Sequence, residues 1–115
     1  MLKCVFRIGG VKRGDDMTSS LYGFEISGHA GYGTAINDKE GNDIVCAAVS
    51  SCTMLVCNAI TENFKADADV KVEENRITLT LKEHNGAAVQ LLTAFYKHLE
   101  ALSEDYDNIK LSLNA

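Results

Sequence analysis

Proline and tryptophan are absent from these 115 residues. Without proline there is no proline-rich linker, and no repeat or low-complexity tract takes its place. The chain therefore reads as one domain spanning 1–115, long enough for a single core. Basic residues are scarce, 11 Lys and Arg against 16 Asp and Glu. The resulting net charge of -5 argues against a general nucleic-acid surface, so no direct nucleic-acid contact is expected. The apolar runs are short and interrupted by polar residues, so no membrane-spanning helix is expected. Met1 to Arg7 alternates like a strand and lacks a signal peptide's apolar core, which makes the cytoplasm the expected location. No Cys-x-x-Cys pair occurs, and His84 and His98 stand at no usual zinc spacing from the four cysteines. No metal and no cofactor are expected. The glycine-rich stretch lacks the Lys and Ser/Thr of a phosphate-binding loop, which discounts nucleotide binding.

What is present is a pattern of short alternating and helical segments. Leu2, Cys4, Phe6 and Ile8 predict a first strand, closed by Gly9-Gly10. Residues 11–20 read as a polar connection. Tyr22, Phe24 and Ile26 predict a second strand. A helix is expected from about Ile44 to Thr61, capped by Asn42 or Asp43. Its buried stripe is expected to be Val45, Ala48, Val49, Cys52, Val56, Ala59 and Ile60. Cys46, Ser50, Thr53 and Cys57 would form a second, more polar stripe. Val70 and Val72, then Ile77, Leu79 and Leu81, predict a hairpin turning near Glu74-Asn75. A second helix over about 87–103 would bury Ala88, Leu92, Phe95, Leu99 and Leu102, and Ile109, Leu111 and Leu113 predict a last strand. The order β-β-α-β-β-α-β predicts an α+β domain, a largely antiparallel sheet packed with two helices.

The informative stretch runs from Gly28 to Cys57. His29 follows the second strand, between Gly28 and Ala30, small residues that leave an imidazole accessible. Residues 30–42 are rich in glycine and asparagine and read as a mobile loop. Cys46 is expected in the first turn of the helix. A helix N-terminus favours a thiolate. A nearby imidazole can take the thiol proton and return it to a leaving group. Unpaired N–H groups at the helix start can hold an oxyanion. A helix cysteine is ordinarily a small hydrophobe; the helix start, the glycine-rich approach and the preceding histidine reverse that reading for Cys46. Cys52, on the expected core stripe, Cys57 and Cys4 are read as structural. Cys46 and Cys57 would stand about 16 Å apart along the helix, too far for a disulfide. Asp43 has two readings, orienting His29 or capping the helix. Ser50, one turn beyond Cys46, has two as well, lining a substrate groove or solvating the face.

Gly28-His29-Ala30-Gly31-Tyr32, with Gly41-Asn42-Asp43-Ile44-Val45-Cys46-Ala47-Ala48-Val49-Ser50, resembles the ribosomal-processing cysteine proteases, the Prp family. The resemblance implies a cysteine endopeptidase that removes a short N-terminal extension from a large-subunit ribosomal protein, cutting after an aromatic pair and before alanine. It puts the catalytic histidine and cysteine on His29 and Cys46, and it implies a homodimer. The segment between the two is several residues longer than in typical members, Thr34 to Glu40 being the extra stretch. Ala30, Gly31, Tyr32, Ala47 and Ser50 are the expected substrate-binding residues: the small ones leave space for a peptide, and Tyr32 can cover an aromatic ring. A non-catalytic ribosome-assembly module keeping a reactive thiol, and a thiol redox sensor, are the competing functions.

Overall fold

The computed structural model describes residues 2–13, 16–28, 42–107 and 109–114, with side chains except those of 10–20 and 42–44. Strand β1 (Leu2–Arg13) and strand β2 (Asp16–Ser27) come first. Helix α1 (Asn42–Asn58) follows and continues into a π-helical turn, Ala59–Asn63. Strands β3 (Ala68–Glu73) and β4 (Arg76–Leu81), helix α2 (Gly86–Asp105) and strand β5 (Ile109–Asn114) complete the order. The five strands form one sheet in the order β3-β4-β2-β1-β5. All its pairs are antiparallel except β1 with β5. The α+β expectation and its element order hold.

One sheet face is apolar because the strands alternate. Leu2, Cys4, Phe6, Phe24, Ile26, Ile77, Leu79 and Leu81 are buried, and the helical stripes cover them. Phe6 sits at the centre, with ring centroids 5.7 Å from Phe24, 5.5 Å from Phe95 and 5.2 Å from Tyr96. Tilted and edge-on pairs of this kind add to the burial of the rings themselves. The opposite sheet face carries the Arg7–Glu25 ion pair at 3.5 Å and the half-buried Thr78 and Thr80. Gly23 pairs with Thr80 of β4, and a side chain there would run into the Leu79 carbonyl oxygen.

Three expectations are corrected. First, β1 does not stop at Gly9-Gly10, and residues 11–20 are not a connection. Both strands run on as a two-stranded ribbon to the Arg13↔Asp16 pair. Its residues pair only with each other, since β5 reaches β1 only at residues 2–7 and β4 reaches β2 only at 23–27. The register shifts between Arg7 and Ile8, a bulge that places Tyr22 as the extra residue. Second, α1 buries a stripe shifted from the expected one. Val45, Val49, Val56 and Ile60 are buried as expected, but so are Thr53 and Cys57, while Cys52 is only half-buried. The Thr53 hydroxyl donates to the Val49 carbonyl at 2.6 Å, which removes the penalty of burying it. Third, Val45–Asn63 has a mean hydropathy of 1.4 and is long and apolar enough by composition to cross a bilayer, contrary to the reading of short interrupted runs. Here its buried stripe packs on the sheet.

Helix α2 spans 86–105, slightly beyond the expected range. The Asn85 side chain caps it by accepting from the Ala88 N–H at 3.0 Å. Ala88, Leu92, Phe95 and Leu99 are buried, and Leu102 is half-buried.

Candidate active site

The crossovers decide what meets at each end of the sheet. β2 and β3 both run antiparallel to the intervening β4, so they are parallel to each other. The connection between them must return along the sheet. Helix α1 therefore starts at the end where β2 finishes and runs back toward the start of β3. Gly28 and the N-terminal end of α1, with Cys46, lie at one end of the sheet. Leu81 and His84 lie at the other, about 17 Å away along the five residues of β4 that follow Arg76.

Gly28 follows β2 with φ 84°, a left-handed conformation that a side chain would strain. Its N–H donates to the Asn75 carbonyl at 3.2 Å, tying the base of the following segment to the β3–β4 turn. An open groove of about 490 Å³ lies here, lined by Glu25, Ser27, Gly28, Glu73, Glu74, Asn75 and Arg76. No local sequence pattern announces this long-range tie. His29, Ala30, Gly31 and Tyr32 lie outside the described residues, as does the loop segment 34–40.

Cys46 is the fifth residue of α1, because the helix begins at Asn42 rather than Ile44. It therefore opens the second turn. Helical pairing directs its N–H to the Asn42 carbonyl, and the unpaired amides at the helix start are those of residues 42–44. Asn42 and Asp43, the two candidate caps, are both inside the helix. Cys46 is half-buried and packs against the edge of the core. Because each Cβ tilts toward the helix start, its side chain leans toward the first turn.

The four thiols separate by environment, and none is bridged. Burial pushes the Cys4 thiol up to about 12 and the Cys57 thiol up to about 11, leaving both protonated at neutral pH. Both are structural, as expected. Cys52 is half-buried like Cys46 but lies in the middle of α1, far from its unpaired amides. Among the expected substrate-binding residues, Ala47 is exposed and Ser50 half-buried on the same helix as Cys46.

The other histidines stand apart. His84 follows β4 and lines a cavity of about 310 Å³ with Leu21, Tyr22, Leu81 and Val89. Its ring nitrogens are buried with no hydrogen-bond partner among the described residues. His98 is exposed on α2. Among the described residues, no group of three or more His, Cys, Asp or Glu side chains is placed to hold a metal ion.

The family model described as cysteine protease Prp matches residues 11–110. No curated protein matches the sequence. Among solved structures, SMU.848 of Streptococcus mutans is 23% identical with a TM-score of 0.77, over 99% of this chain and 94% of that one. The ribosomal processing protease Prp of S. aureus in complex with a substrate peptide is 19% identical, with a TM-score of 0.79, over 99% of this chain and 100% of that one. The same protein with a covalently linked product peptide gives 21% and 0.76, with the same coverage. These likenesses establish the fold.

Proposed function

Because the chain belongs to the cysteine protease Prp family, we propose that it is an endopeptidase with a Cys46–His29 dyad. It removes the N-terminal extension of a large-subunit ribosomal protein, cutting after aromatic residues and before alanine. The observation that carries this reading is topological. The return of α1 along the sheet brings Cys46 to the end where β2 delivers the chain to residue 29. The S. aureus relative, a ribosomal processing protease with substrate and covalently linked product peptides, supports the substrate class.

In this mechanism His29 takes the Cys46 proton, and Sγ attacks the scissile carbonyl carbon. The unpaired amides of residues 42–44 stabilise the oxyanion. As the tetrahedral intermediate collapses, the C–N bond breaks and His29 gives its proton to the leaving amine. The thioester that remains is hydrolysed by a water that His29 deprotonates, and the thiol leaves reprotonated. No cofactor takes part. The whole chain, 1–115, acts as one catalytic domain and pairs as a homodimer. It works in the cytoplasm, on a protein substrate, without contact to membrane or nucleic acid. Ala30, Gly31, Tyr32, Ala47 and Ser50 bind the peptide.

Mass spectrometry of the host's own ribosomal precursor after incubation with the protein tests this reading. The expected product has lost its extension immediately before alanine. His29→Ala should slow the reaction by about 10²- to 10⁴-fold, while His84→Ala and His98→Ala should not. An intact precursor with wild-type protein would leave the assembly-module or redox-sensor function in its place.

A further inference from the structure

Two features of the β1–β2 pair place Tyr22. The register shift between Arg7 and Ile8 leaves it without a partner across the ladder, and a bulge of this kind re-aims the side chain it frees. The Tyr22 ring lies against Gly9, where an added Cβ would stand 2.7 Å from its Cδ1. Glycine at position 9 is what admits the ring. So held, Tyr22 lines the cavity of about 310 Å³ together with the apolar side chains of Leu21, Leu81 and Val89 and with His84. His84 brings two polar atoms to this wall. Both ring nitrogens are buried, with no hydrogen-bond partner among the described residues. Buried polar atoms are ordinarily bonded, and an orphan calls for an explanation. A half-turn about χ2 exchanges each ring nitrogen with a ring carbon of almost the same outline. The ring can therefore present a nitrogen wherever it presents a carbon, and a molecule in the cavity can supply the missing bond.

The lining selects the kind of molecule. Its charged members, Lys82 and Glu83, are opposite in sign, and the Lys82 ammonium is already paired with Asp69 at 3.2 Å. Such a wall does not favour an anion. A neutral imidazole offers one donor and one acceptor, and a hydroxyl can meet either. The Tyr22 ring offers an aromatic surface for a second ring. The volume is at the low end for small-molecule sites, which run from about 300 to 1,000 Å³, and suits a single ring. We propose that this cavity binds a small neutral phenol or aromatic alcohol, its hydroxyl bonded to the His84 imidazole and its ring against Tyr22. The site stands at the opposite end of the sheet from Cys46, and the proposal does not depend on the protease reading.

The probes are para-cresol, toluene and para-toluate, which share one methylated ring and carry a hydroxyl, no polar group or a charge. Each is titrated into the full chain while NMR follows the methyl signals of Leu21, Leu81 and Val89. Para-cresol should shift these signals saturably and bind about 3- to 10-fold more tightly than toluene, with para-toluate weakest. The imidazole nitrogen signals of His84 should move with para-cresol and stay in place with toluene. His84→Leu should bring para-cresol down to the affinity of toluene. Val89→Phe, which fills the cavity, should remove the binding of both, and Gly9→Ala, which displaces the Tyr22 ring, should weaken both. Four results would each overturn the site: no saturable shift at those methyls, equal affinities for para-cresol and toluene, tighter binding of para-toluate, or a His84→Leu protein that still prefers para-cresol. The nitrogen signals are read on wild-type protein, so the test does not depend on any variant folding. Signals of His84 that para-cresol leaves unmoved would overturn the site by themselves.

Discussion

The two helices lie on the same face of one sheet, yet they are built to different rules. Helix α2 is regular: a side-chain cap at Asn85, a clean stripe of Ala88, Leu92, Phe95 and Leu99, and charges on the exposed side of its second half, Lys97, Glu100, Glu104 and Asp105. Helix α1 departs from that pattern in its faces. It buries Thr53 and Cys57, exposes Met54 and Leu55, and carries no charge from Ile44 to Asn58. It also gives up α-helical geometry in its last turn, Ala59–Asn63, where Thr61 donates to the Cys57 carbonyl at 2.9 Å. After that turn Lys65 takes a positive φ of 52°, a left-handed residue of the kind that ends helices. The contrast fits the proposed division of labour, in which α2 serves the fold and α1, besides its buried stripe, carries the candidate nucleophile. Local departures from regular design gather where function is carried.

The sharpest break in that comparison is a double dissociation. Cys46→Ala should cost on the order of 10⁶-fold in turnover, as removal of a nucleophile does. It should leave urea unfolding nearly unchanged, because the side chain is small and at the edge of the core. Phe95→Ala in α2 should do the reverse. It deletes a ring within 5.5 Å of Phe6 and 5.3 Å of Phe24 and should cost about 3–5 kcal/mol of stability. Turnover per folded molecule should persist. A Cys46→Ala protein that still cuts, or one that unfolds, would dissolve the distinction.

A smaller effect sharpens it. Asn85→Ala removes the acceptor for the Ala88 N–H and should lower stability by about 1 kcal/mol, with no change in specificity constant. Calorimetry and a peptide assay on the same preparation would check both halves.

How much of this was legible in the sequence follows from what each residue answers to. The strands of the sheet proper and α2 answer to burial, and their periods read directly. The β1–β2 ribbon answers only to its own backbone pairing, so no alternation marks it, and Gly9-Gly10 read as an end. In α1 the period was legible but its phase was not. A threonine whose hydroxyl bonds to its own helix can be buried, and composition alone counts it as polar. Cys46 was legible as the candidate nucleophile from its neighbours. Its place in the second turn was not, because two more residues join the helix before Ile44. The tie between Gly28 and Asn75 joins residues far apart in the chain, and no local pattern encodes it.

The smallest effect lies between the thiols of α1 itself. Cys57 is 3% exposed and held up to about 11 from 9.0 by burial. The folded state therefore keeps its proton where the unfolded chain has lost it. Between those two values the unfolded state binds fewer protons, so stability falls as pH rises. The contribution is fully present below about pH 9 and is lost on the way to pH 11. From pH 8 to pH 10 the loss assignable to Cys57 is about 1 kcal/mol. Cys4, whose thiol burial also pushes up, contributes over the same range. The useful quantity is therefore the difference between wild type and Cys57→Ala in the stability lost from pH 8 to pH 10, read from urea unfolding. Cys57→Ala should be less stable than wild type at pH 8, where a buried side chain is missing, and the gap should narrow by about 1 kcal/mol at pH 10. A gap of constant size would mean that the Cys57 thiol ionises in the folded protein as readily as in the unfolded chain, and the contrast between a buried structural thiol and the half-buried Cys46 would lose its chemical basis.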